Sequence, residues 1–84
     1  MSVLNLESEW VMKNIKLIER RNKAGLTQVE VATKAGIQER AYQNYELGTR
    51  TPRADTAIRI ADAIGVKSYK EFKEIFGQWI GEGS

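Results

Sequence analysis

The stretch Leu26 to Leu47, LTQVEVATKAGIQERAYQNYEL, constrains this chain more than any other. It calls for two short helices joined by a tight turn. Thr27 and Glu30 have the T-x-x-E spacing of a capping box, in which hydroxyl and carboxylate each satisfy an orphan backbone N–H. Val29, Val31, Ala32 and Ala35 follow, small or branched, so the helix they line packs closely against neighbours. Gly36 ends it, because a sharp turn needs the left-handed backbone that glycine adopts without strain. Ile37 returns to the core, and a second helix is predicted from about Gln38 to Leu47.

On a wheel of about 100° per residue, Ala41, Tyr42 and Tyr45 gather on one side of that helix, with Gln38 at their edge. Glu39, Arg40, Gln43, Asn44 and Leu47 gather on the other. The polar set has two readings. Any surface helix presents a solvated polar face. Arginine, glutamine and asparagine are also the side chains that pair with base edges in a major groove, Arg with guanine O6 and N7, Gln and Asn with adenine N6 and N7. The second reading gains from Thr27-Gln28, from Gly36 and from the basic segments on either side.

The chain has 84 residues, enough for one domain, 1–84, with a single modest helical core. Cysteine and histidine are both absent. Disulfides, cysteine nucleophiles, the usual zinc sites and a histidine general base are therefore excluded. No carboxylate pair falls in a pocket-like context, so no catalytic residue, metal or cofactor is expected and the chain does not read as an enzyme. There is no signal peptide and no apolar run long enough to cross a bilayer, which fits a cytoplasmic protein without a membrane partner. The net charge of +2 is too small to argue for nucleic acid by itself. Its distribution says more: Arg20 to Arg59 carries eight basic residues against four acidic, a middle of +4 between flanks that together carry −2.

The remaining elements follow from local signals. A first helix is expected from near Asn5 or Ser8, with Val11, Ile15 and Ile18 as its inward stripe and Trp10, Met12 and Leu17 beside it. Arg20, Arg21 and Lys23 suit its C-terminal dipole, Gly25 closes it and Leu26 re-enters the core. Gly48-Thr49-Arg50-Thr51-Pro52-Arg53 is either an ordinary loop or a phosphate clamp of hydroxyls, free backbone N–H groups and two arginines. A fourth helix, Ala54 to Ile64, is expected to bury Ala57, Ile58, Ala61 and Ile64, with Ile60 close by and Val66 returning after Gly65. Ser68 and Glu71 open a second capping box. The amphipathic helix that follows, about 69–80, carries Phe72, Ile75, Phe76, Trp79 and Ile80. Phe76, Trp79 and Ile80 exceed what one small core needs. They are read as a dimer contact, or as a strip folding back on Trp10 and Val11.

The segments ERRNKAGLTQVEVATKAGI, YELGTRTP and IADAIGV, within about 15–72, resemble the lambda-repressor-like helix-turn-helix domain of Cro- and XRE-type regulators. The resemblance implies an all-α, five-helix domain whose third helix enters the major groove of double-stranded operator DNA. Glu39, Arg40 and Asn44 match base-reading positions, with Gln43 on the same face. Gln28 matches a residue that bonds a phosphate and braces the Glu39 position. Thr27, Lys23, Thr49, Arg50 and Arg53 fall with the backbone contacts, and Arg21 and Glu46 match a structural ion pair. Three positions depart from the pattern: Glu39 is acidic, Gln38 is a weak cap, and Tyr42 and Tyr45 are larger than the usual aliphatics. The function implied is a sequence-specific transcriptional repressor acting as a homodimer. An antitoxin or bridging module on the same fold, docking a protein through Phe76, Trp79 and Ile80, is the alternative.

Overall fold

Several of the described helices are set by short-range signals at their ends. The computed structural model describes residues 13–77. Within them are five α-helices and no strand: α1 (Ile15–Lys23), α2 (Gln28–Ala35), α3 (Glu39–Leu47), α4 (Ala54–Ala63) and α5 (Tyr69–Phe76). The capping box at the start of α2 is complete: Glu30 N–H donates to Thr27 Oγ1 at 3.1 Å, and Thr27 N–H to Glu30 Oε1 at 2.8 Å. Gly36 ends α2 at φ 73°, which lets Ile37 N–H reach back to the Ala32 carbonyl at 3.0 Å. Gln38 begins α3 with no side-chain cap, as its residue type implies.

The first helix departs from its expected start. It begins at Ile15, because the Asn14 side chain accepts from Leu17 N–H at 3.1 Å and caps it there. A period drawn through Val11, Ile15 and Ile18 crosses that break. Ile15 is therefore exposed, and Leu17 is the fully buried residue of α1. Trp10, Val11 and Met12 lie outside the described residues. Two more inward assignments fail. Val29 is half exposed, and in α4 the buried stripe is Ala57, Ile60, Ala61 and Ile64, leaving Ile58 59% exposed. The second capping box is half formed. Glu71 N–H donates to Ser68 Oγ at 3.1 Å, but the Glu71 carboxylate turns to Arg20, 3.0 Å from its Nε.

Phe76 is also corrected. It is fully buried and its ring lies 5.1 Å from that of Phe72, so it belongs to the core and not to a dimer contact. Trp79 and Ile80 lie outside the described residues. The core itself joins Leu17, Val31, Tyr42, Ile60, Ile64, Ile75 and Phe76 with a set of alanines. Ala32 and Ala35 of α2 and Ala57 and Ala61 of α4 are all buried, and α2 packs most extensively on α4. Small side chains on both helices allow that close approach. Arg59 of α4 adds a polar tie, donating from Nε to the Ala35 carbonyl at 3.0 Å, one of the orphan acceptors at the end of α2.

Candidate nucleic-acid interface

The inner side of α3 is anchored at one carboxylate. Glu46 is 3% exposed. Its Oε2 accepts from Arg21 Nε and Tyr42 Oη, both at 2.6 Å. Its Oε1 accepts from Gln28 Nε2 at 2.8 Å and Arg21 Nη2 at 3.3 Å. Arg21 Nη1 then donates to the Leu26 carbonyl at 2.9 Å. One buried acid thus joins α1, α2, α3 and the turn before α2, with both oxygens satisfied, as a buried charge requires. Burial alone would push the Glu46 carboxyl up, but hydrogen bonds from Arg21, Tyr42 and Gln28 outweigh it and hold the group below the usual carboxylate range. The same hydrogen bond raises the Arg21 guanidinium, and burial, then Glu46, pushes the Tyr42 phenol up.

Two members of this cluster are absent from the sequence reading as polar partners. The sequence places Tyr42 on the inner side of its helix, and its i, i+4 spacing to Glu46 is the local signal of this contact. Asn14 gave none. Its N–H donates to the Glu46 carbonyl at 2.8 Å and its Nδ2 to the Ile75 carbonyl at 2.9 Å, tying α1, α3 and α5 together. Gln28 sits differently from its expected bracing role: its amide nitrogen is directed to Glu46, and Gln43 is the residue that reaches Glu39.

The outer side of α3 is polar and accessible. Glu39 and Arg40 are exposed, and Gln43 and Asn44 are half-buried. Gln43 Nε2 donates to Glu39 Oε2 at 3.0 Å, so these two residues, one turn apart, form a single hydrogen-bonded unit. Glu39 keeps acceptor capacity beyond that bond. Asn44 is joined to the next loop by the Thr49 hydroxyl, 3.1 Å from Oδ1. The loop N–H groups are not free as expected. Gly48, Thr49 and Arg50 donate theirs to the Asn44 carbonyl at 2.9, 3.0 and 3.4 Å, a reversal that the left-handed Gly48 (φ 82°) permits. What remains outward is cationic: Arg50 and Arg53 are exposed, with Arg53 Nε 3.7 Å from Asp55 Oδ1. Lys23 and Thr27 are exposed as well.

The arrangement suits a charged, hydrogen-bonding ligand surface. Among the described residues there is no group of acidic, histidine or cysteine side chains that could hold a metal ion, and no helix long and apolar enough to cross a membrane.

Residues 17–71 match the helix-turn-helix family. The chain is also similar to the cryptic phage CTXphi transcriptional repressor RstR of Vibrio cholerae serotype O1, with 30% identity over 64 residues, 76% of this chain and 54% of that protein. The chain spans about half the length of that curated relative. No solved structure matches it. The family match opens inside α1 and closes inside α5, so it takes in the helix pair around Gly36 together with the residues that anchor it, and this chain belongs to the lambda-repressor-like helix-turn-helix family of DNA-binding transcriptional regulators.

Proposed function

We propose that this protein is a phage-type transcriptional repressor that lays the outer face of α3 in the major groove of a two-fold operator. The observation that carries the reading is the two-sidedness of α3: Glu46 and Tyr42 lock its back into the domain, while Glu39 and Arg40 stand exposed on its front. In this reading Glu39, Arg40, Gln43 and Asn44 read base edges. Arg40 suits guanine, and Glu39, paired with Gln43, suits the amino group of cytosine. Lys23, Thr27, Gln28, Arg50 and Arg53 supply the backbone contacts that set register without reading sequence.

The repressor acts as a homodimer, and its second copy seats on the α4–α5 side. There Ile58 and Tyr69, 59% and 67% exposed, flank an apolar groove of about 380 Å³ floored by Ala61, Val66 and Phe72. Asp62 and Lys67 line the same groove, so two copies related by a two-fold axis can pair acid with base as each inserts its apolar rim. Half-sites on the operator then lie about one helical turn apart, ~34 Å.

Titrating a labelled duplex pool at several salt concentrations tests the reading. With the three cationic contacts of each copy, Lys23, Arg50 and Arg53, six per dimer, log affinity falls with log salt at a slope of about −5. A flat response removes DNA from the function.

A further inference from the structure

Thr49 stands among the residues assigned to phosphate contact, yet both of its donors are already engaged. Its hydroxyl donates to Asn44 Oδ1 at 3.1 Å, with the Asn44 carbonyl also near at 3.3 Å. Its backbone N–H goes to that same carbonyl at 3.0 Å. Asn44, a base-reading candidate on α3, is therefore gripped by the loop that was to hold the strand. A threonine hydroxyl has one proton, and one directed at an amide oxygen is not available to a phosphate. The Asn44 amide, for its part, keeps both Nδ2 protons, which make no hydrogen bond among the described residues.

We propose that Thr49 is a positioning residue for base recognition: its hydroxyl holds the Asn44 amide by its oxygen, so that Asn44 meets the DNA as a donor and selects guanine over adenine. The chemistry follows from the groove. Guanine shows two acceptors, N7 and O6, whereas adenine shows one acceptor beside an amino donor. An amide offering donors meets the adenine amino group with a like partner, while the paired use of oxygen and nitrogen that suits adenine requires the oxygen to turn to the base. The phosphate grip of the loop then falls to the exposed guanidinium groups of Arg50 and Arg53. This proposal rests on the DNA-binding reading above and adds to it the identity of one base and the role of one hydroxyl.

Selection of bound sequences from a random duplex pool, run on wild type, Asn44→Ala, Thr49→Val and Thr49→Ser, tests it together with the salt slope of each. Wild type is expected to prefer guanine by about tenfold at the base pair that becomes degenerate in Asn44→Ala. Thr49→Val, isosteric and at an exposed position, is expected to lose that preference at the same pair, leave other positions and the salt slope unchanged, and be restored by Thr49→Ser. Adenine at that pair in wild type overturns the proposal. So does a Thr49→Val protein that weakens equally on all sequences and keeps its guanine preference at that pair, the signature of a lost neutral phosphate contact. A wild type without duplex affinity overturns the functional reading itself and this proposal with it, whereas the two preceding results leave the functional reading intact.

Discussion

Glu46 is the residue on which the position of α3 depends. Its carboxylate gathers Arg21, Gln28 and Tyr42, and removing one partner from a buried ion pair typically costs about 3–5 kcal/mol because the remaining charge is left uncompensated. Glu46→Gln is therefore expected to lower stability by about 3 kcal/mol, measured by chemical denaturation. The pH dependence has a definite sign. The Glu46 carboxyl is depressed in the fold, so its contribution is present above the ordinary carboxylate range, near 4.3, and is lost as pH falls through the lower folded value. Tyr42 is raised, so its contribution is present below about 10 and fades as pH climbs toward the folded value. Thermal melts are expected to be flat between these limits and to decline on both sides, with the acid decline shallower in Glu46→Gln. An identical acid limb in both proteins would remove Glu46 from the account. On the opposite face, Arg40→Ala is expected to relax preference at one base pair by about 1–3 kcal/mol, read by competition with single-base operator variants. Equal weakening on every sequence would make Arg40 a phosphate ligand.

At the level of the elements, the signals that proved sound are those a helix carries at its own ends. Thr27 with Glu30, Gly36, Gly48 and Ser68 each mark an end correctly, because a cap is a bond between residues at most five positions apart. Gly36 holds φ 73°, and although a Cβ there would meet nothing within 4 Å, the left-handed backbone alone penalises a side chain. Gly36→Ala is accordingly expected to cost about 1–2 kcal/mol, seen as a lower Tm with the fold retained. A neutral result would mean that the turn relaxes. Helix faces were less legible. Ile58 and Ile60 are the same residue type two positions apart, and a periodic pattern admits either as the inward one. The Arg59 side chain reaching the Ala35 carbonyl, 24 positions away, fits the register in which Ile60 is buried. Asn14 sets the start of the first helix through a local cap on Leu17, while its bonds to Glu46 and Ile75 span distances that no window of ten residues contains.

For the molecule as a whole, the correction of Phe76 moves the candidate dimer surface. With Phe76 in the core, the proposed seat of a second copy is the apolar groove beside Ile58 and Tyr69. Ile58→Asp is expected to sediment as a monomer, keep its Tm, and bind a single half-site with little change while losing affinity for the full operator. Persistence of the dimer would place the contact elsewhere. The sequence by itself determined the number of described helices, their caps, the left-handed turns, the exclusion of cysteine and histidine chemistry and the outward set Glu39, Arg40, Gln43 and Asn44, since all of these follow from residue type and near neighbours. Only the tertiary structure decided that Tyr42 and Gln28 converge with Arg21 on Glu46, that Asn14 binds α3 to α5, that Phe76 turns inward and that Thr49 holds Asn44 while closing the loop N–H groups. All but the last join residues from different helices, and the last depends on how far Gly48 folds the chain back. Such distances are set by packing the whole chain at once and by no local preference.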